Sequence, residues 1–157
     1  MQQDSFLIIA LGHEYRKDDG FGACVLRELQ KEGEDSGQLL FHEGDVSDLL
    51  ERWSDRRVIV IDACESQGVP GRLHVLKPLL LPCLLSEDPV SSHGLGLAKT
   101  IELGEVLGKL PRDLTVFTVE GRDFSSGEGL SEEVGAAVGE VLGSLRKLLA
   151  GEELGNA

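Results

Sequence analysis

The chain is short of cysteine, of basic residues and of long apolar runs, and each shortage excludes something. Cys24, Cys64 and Cys83 are its 3 cysteines, an odd set with no C-x-x-C pair. A disulfide framework or a zinc knuckle is therefore not expected. Lys and Arg total 15 against 28 Asp and Glu, for a formal net charge of −13. That balance argues against a nucleic-acid partner, because phosphate contacts need basic patches. It argues equally against adhesion to anionic lipid. The acidity has two readings: solubility, or a surface that attracts a cation or a basic partner segment. No apolar stretch reaches the roughly 18 residues that a membrane span requires. Phe6–Leu11 is too short for a signal core and follows no basic region, so a cytoplasmic location is expected. No G-x-x-x-x-G-K-S/T phosphate loop is present, and the lone Gly20-x-Gly22 is too weak for a dinucleotide fingerprint.

What is there is a series of short apolar runs, with acids and one histidine beyond them. Phe6–Leu11 reads as a first strand. The Asp18-Asp19-Gly20 turn opens a helix to about Lys31, with Val25, Leu26 and Leu29 on its apolar side. Gly33 to Gly37 is a polar break, and Gln38–His42 a second short strand. Ser47–Trp53 reads as a short helix capped by Asp45 or Ser47. Arg57–Ile61, β-branched and almost wholly apolar, reads as a buried strand that runs straight into Asp62-Ala63. Arg72–Leu76 is extended and follows too closely for a helical crossover, so it is expected to run antiparallel. Pro78 to Pro89 is a proline-broken loop. Gly94–Gly108 is a helix, Leu114–Val119 the last strand, and Ser131–Leu149 an amphipathic helix capped by Ser131. The pattern predicts one three-layer α/β/α domain over residues 1–157, with 150–157 expected to fray.

In a parallel α/β sheet, ligands bind beyond the carboxyl ends of the strands. Asp19 and Asp62 then share one edge, and His93 in Ser91-Ser92-His93-Gly94-Leu95-Gly96-Leu97 could join them in a metal or acid–base site. Each has a plainer alternative: a helix cap for Asp19, backbone hydrogen bonding for Asp62, a ring cap on the following helix for His93. Asp18 reads as a solvated or turn-forming acid. Glu43 and Asp45 are candidates to line the cleft, His42 and His74 read as surface strand residues, and Cys64 as a buried, inert thiol.

In order and spacing these motifs resemble the hydrogenase maturation proteases, from about Phe6 to Leu149. The pieces are Leu11-Gly12-His13, Asp18-Asp19-Gly20-Phe21-Gly22, Glu43-Gly44-Asp45, Ile59-Val60-Ile61-Asp62-Ala63 with Gly68-Val69-Pro70-Gly71, and the Ser91–Leu97 motif. Leu110-Pro111-Arg112, Val119-Glu120-Gly121 and Gly129-Leu130-Ser131 follow. The chain departs from the family's pattern at His13, where the family usually carries Asn, and at Ala10, where it usually carries Gly. The resemblance implies a mixed, mostly parallel five-stranded sheet with one antiparallel strand. It also implies that Asp19, Asp62 and His93 form a metal-binding and catalytic cluster. Two carboxylates and an imidazole suit nickel, zinc or another divalent ion. The implied activity is endoproteolytic removal of the C-terminal extension of a nickel-iron hydrogenase large-subunit precursor after nickel insertion. The nickel would belong to the enzyme or arrive with the substrate; an aspartate acting as general base without a metal of its own is the other mechanism. The precursor is the implied partner and a monomer the expected state. The rival of a different class is a binding module or chaperone that senses nickel without cutting.

Overall fold

A computed structural model describes residues 5–33, 37–65, 68–79, 92–152 and 154 of the chain. Five strands form one sheet in the order β2-β1-β3-β5-β4: β1 (Phe6–Leu11), β2 (Gly37–His42), β3 (Arg57–Glu65), β4 (Leu73–Leu76) and β5 (Asp113–Gly121). β1, β2, β3 and β5 are parallel, and β4 alone runs antiparallel, along β5. The connection from β3 to β4 spans only residues 66–72, too few for the crossover a parallel neighbour needs.

The helices are α1 (Phe21–Lys31), α2 (Leu50–Trp53), α3 (Ser92–Leu107) and α4 (Glu132–Leu149). Strand alternation sorts their contacts. Ile8, Ile59, Ile61, Phe117 and Val119 point to one face and pack with Val25 and Leu29 of α1 and Val134, Val141 and Leu145 of α4. Leu7, Ile9, Val58, Val60, Leu114 and Val116 point to the other and pack with Leu50 and Trp53 of α2 and Leu97 and Ile101 of α3. The result is the expected α/β/α sandwich, and the core is made of these two apolar layers.

The chain leaves β1 through α1 on one face to reach β2, then returns through α2 on the other face to β3. The direction of travel reverses at β1, so a crevice forms at the carboxyl ends of β1 and β3. The strand lengths deepen it. β1 pairs with β3 only as far as Ala10 beside Ile61, whereas β3 and β5 stay paired to Glu65 and Gly121. The free flank of β3 is taken by a 3-10 turn, Lys17–Gly20, which packs against that strand.

Four expectations need correction. Asp62 and Ala63 lie inside β3 and not beyond it, because β5 continues alongside and extends the ladder. α3 begins at Ser92, so His93 is in its first turn. Ser131 holds the N-cap position of α4 but does not cap it with its side chain; its hydroxyl donates to Asp18 Oδ2 at 2.9 Å. Asp18 is not solvated but fully buried. Asp45 does cap the 3-10 turn Val46–Leu49 that leads into α2, its Oδ1 accepting Ser47 N–H at 2.9 Å. This bond holds the Asp45 carboxyl below the usual carboxylate range. The expected polar break at Gly33–Gly37 and the proline-broken loop fall largely outside the described residues; of the tail expected to fray, residues 150–152 and 154 are described, and Leu154 packs against the core.

Candidate functional site at the sheet's carboxyl edge

Both aspartates expected at this edge are there, and both are buried. Asp19 is 4% exposed in the 3-10 turn after β1, and Asp62 is 6% exposed within β3. Asp19 Oδ2 accepts the backbone N–H of His13 at 2.8 Å. Gly12 makes this possible: its φ is +117°, and a Cβ there would stand 2.3 Å from the Asp19 carbonyl oxygen. Gly22 serves the same end, since a Cβ would come within 2.7 Å of the Ile61 carbonyl and push α1 off β3. The Asp62 Oδ1 accepts the N–H of Ala63 at 2.8 Å. Asp62 has the same parity along β3 as Val58 and Val60, so it faces the side of the sheet covered by α2 and α3.

α3 points its first turn at this edge. A Cβ on Gly96 would lie 3.7 Å from Val46 Cγ2, just past the end of β2, while Gly104 sits beside Leu50 and Leu110 at the opposite end of the sheet. The helix therefore runs antiparallel to the strands, and His93 enters at the carboxyl edge. The side chain of His93 lies outside the described residues. Among the described residues, no three His, Cys, Asp or Glu side chains group as a metal site; Asp19 and Asp62 are the carboxylates such a set would draw on.

The replacement of Asn by His at position 13 leaves the Asp19 contact intact, because the bond comes from the backbone N–H, which every residue but proline offers. The His13 ring is half exposed, with Nδ1 3.5 Å from Glu43 Oε2. Together with Gly12, Glu14, Phe41 and His42, Glu43 lines a cavity of about 230 Å³ beside the edge. Ala10, at the other unusual position, packs against Gly22.

Sequence reasoning missed two features. Asp18 accepts four hydrogen bonds: from the backbone N–H of Arg122 (2.7 Å), Asp123 (2.9 Å) and Ser131 (2.7 Å) and from the Ser131 hydroxyl. It is a structural carboxylate whose donors lie more than a hundred residues away, so no local signal marks it. The second is the polar end of the α3 face. Asp62 is in register with Thr118 and Cys64 with Glu120 on β5, and Thr118 is in register with His74 on β4. Glu120 is buried, with Oε1 accepting Gly68 N–H at 3.0 Å and Oε2 lying 3.1 Å from His74 Nε2. Burial pushes the Cys64 thiol above its ordinary pKa, as expected of an inert cysteine.

Known proteins agree with the motif reading. The solved structure of the hydrogenase maturating endopeptidase HybD from E. coli superposes with a TM-score of 0.80 at 24% identity, over 94% of this chain and 93% of that one. A NiFe hydrogenase maturation protease, HybD from Thermococcus kodakarensis, gives 0.76 at 26% identity over 92% and 99%. The hydrogenase expression/formation protein HupD of Bradyrhizobium diazoefficiens is 24% identical over 131 residues, 82% of this chain and 68% of that protein. Residues 26–147, which include Asp62 and His93, match the family described as hydrogenase maturation protease. With most of its length matched and the same sheet beneath its motifs, the chain belongs to the hydrogenase maturation protease family.

Proposed function

We propose that this protein is the endopeptidase that removes the C-terminal extension of a nickel-iron hydrogenase large-subunit precursor once nickel has been inserted. The observation that carries the reading is Asp19, a buried carboxylate at the switch point of the sheet. It accepts one hydrogen bond from the described residues, while a carboxylate has about four lone-pair sites. Asp62 is on the adjacent strand, and the backbone of His93 approaches from α3. Two carboxylates with an imidazole form a donor set suited to a borderline divalent ion and leave positions free for substrate. Asp19, Asp62 and His93 would engage the nickel carried by the precursor, or a zinc or nickel ion of the enzyme's own; such an ion supplies Lewis acidity. The buried carboxylates orient the attacking water and take up its proton. No helix among the described residues is long and apolar enough to cross a membrane; in this reading the enzyme is a monomer that acts on its precursor in the cytoplasm.

The test is a mobility-shift assay with purified protein and two forms of precursor. Nickel-loaded precursor should be shortened, and nickel-free precursor left intact. Binding of the loaded precursor without shortening would support a non-cleaving sensor. Rapid cleavage of the nickel-free form would remove the metal-sensing account.

A further inference from the structure

The α3 face of the sheet changes character along its length. At the level of Val60 the row across β3, β5 and β4 is Val60–Val116–Leu76, and these side chains pack in the core. One step nearer the carboxyl edge, the row is Asp62–Thr118–His74. Two strand spacings put the Cα atoms of Asp62 and His74 about 10 Å apart, on one face. That separation matches the width of an extended peptide laid over Thr118 between the two side chains. His74 is 43% exposed, and the carboxylate behind it, on Glu120, is 8% exposed.

A carboxylate only accepts, so the 3.1 Å contact makes His74 Nε2 a donor to Glu120 Oε2. The ring is thereby held with Nδ1 as its second, working nitrogen. Glu120 is itself fixed. Its Oε1 holds Gly68 N–H, its N–H donates to the Arg72 carbonyl at 2.9 Å, and its carbonyl accepts Gly71 N–H at 2.6 Å. A buried acid that orients a half-exposed histidine, one residue across from a cleft aspartate, is the arrangement a proton donor needs.

We infer that His74, oriented by Glu120, is the general acid that protonates the departing amide nitrogen of the scissile bond. The inference rests on the endopeptidase reading of the same cleft and adds the group that reading lacks. Amide hydrolysis has two proton transfers. As the water oxygen bonds to the carbonyl carbon, the water's proton passes to an aspartate carboxylate. As the carbon–nitrogen bond breaks, the Nδ1 proton of His74 passes to the nitrogen, which leaves as an amine. The ring is left neutral with Nε2–H still on Glu120. Solvent then removes the carboxyl proton and restores the one on Nδ1, for a net consumption of one water. His74 is the catalytic residue here and Glu120 a positioning residue.

An alkoxide leaves without the protonation that an amine demands, so the test compares leaving groups. Nickel-loaded precursor is prepared by semisynthesis with either the natural amide or an ester at the scissile position. His74→Gln should lower single-turnover cleavage of the amide about 100- to 1,000-fold and cleavage of the ester less than about tenfold, with precursor binding unchanged. Glu120→Gln should show the same preference for the ester to a smaller degree. Equal loss on both substrates, or amide cleavage by His74→Gln at the wild-type rate, would overturn the role. If His74→Gln fails to fold, the amide-to-ester ratio of Glu120→Gln decides by the same criterion. Wild-type protein that cleaves neither substrate would instead overturn the endopeptidase reading, so the two failures are distinct.

Discussion

Asp18 and Asp19 are adjacent, identical in chemistry and both buried, yet they serve different regions of the molecule. Asp18 reaches into the segment between β5 and α4 and takes four hydrogen bonds from three of its residues. Asp19, in the turn beside the crevice, takes one, from His13, among the described residues. A buried carboxylate costs desolvation energy unless its acceptor sites are filled. The loop fills them for Asp18, and the reward is a fixed chain path. At Asp19 the described residues fill one site, and the proposed function assigns the others to metal or substrate. Filled acceptor capacity marks Asp18 as structural, and the contrast makes Asp19 the carboxylate proposed for function.

The sharpest way to break this contrast is to truncate both acids. Asp18→Ala leaves three backbone N–H groups and a hydroxyl without their acceptor. Hydrogen bonds to charged groups contribute about 1.5–3 kcal/mol each and are not additive, so a loss of about 3–5 kcal/mol is expected. Urea unfolding should show a lower midpoint at constant slope, and proteolysis should begin in residues 122–131. A cost below about 1 kcal/mol would mean that water replaces the carboxylate and that Asp18 does not hold the loop.

Asp62 should behave in the opposite way. Asp62→Asn keeps the shape and an oxygen that can accept Ala63 N–H, so stability should change by less than about 1 kcal/mol. Processing of nickel-loaded precursor should nevertheless fall at least about 100-fold, since an amide can neither take up a proton nor hold a cation as a carboxylate does. Near-normal processing by this variant would remove Asp62 from the site.

The sheet was legible because periodicity reports it. Phe6–Leu11 is wholly apolar and Arg57–Ile61 carries only Arg57 at its start as a polar residue, and the short link before Leu73 could only make β4 antiparallel. The sequence reading ended β3 at Ile61 because Asp62 breaks the apolar run. The ladder does not break there, since hydrogen bonding to β5 is indifferent to side-chain polarity. Spacing and family likeness placed Asp19 and Asp62 at the carboxyl edge, where both lie buried. Asp18 was misjudged because a turn acid next to a proposed site acid looks solvated, and its donors come from a segment folded back from residues 122–131. The pairing of His74 with Glu120 was hidden for the same reason: strand order, which sequence does not state, brings β4 beside β5 and two steps from β3.

The smallest expected effect separates buried from exposed carboxylates within one loop. Asp123 belongs to the segment that Asp18 anchors, but its own carboxyl is at the surface. Its Oδ1 accepts the Ser125 hydroxyl at 2.7 Å and the Ser125 N–H at 2.9 Å, and Oδ2 pairs with Lys17 Nζ at 3.2 Å. The Ser125 bonds, with Lys17 adding to them, lower its pKa from 3.8 to about 2. A carboxyl whose folded pKa is depressed binds its proton more readily when unfolded. Its contribution to stability is therefore complete above the unfolded pKa, fades as pH falls below it, and is gone once pH passes below the folded value. The stability difference between wild type and Asp123→Asn should thus be constant from neutral pH down to about pH 5 and shrink between about pH 4 and pH 2. Solvent and salt screen an exposed group, so the difference should be small and smaller still at high ionic strength. Paired urea melts across this range read it directly. A difference that persists unchanged below the folded pKa would mean that the Asp123 contacts act through shape and not charge.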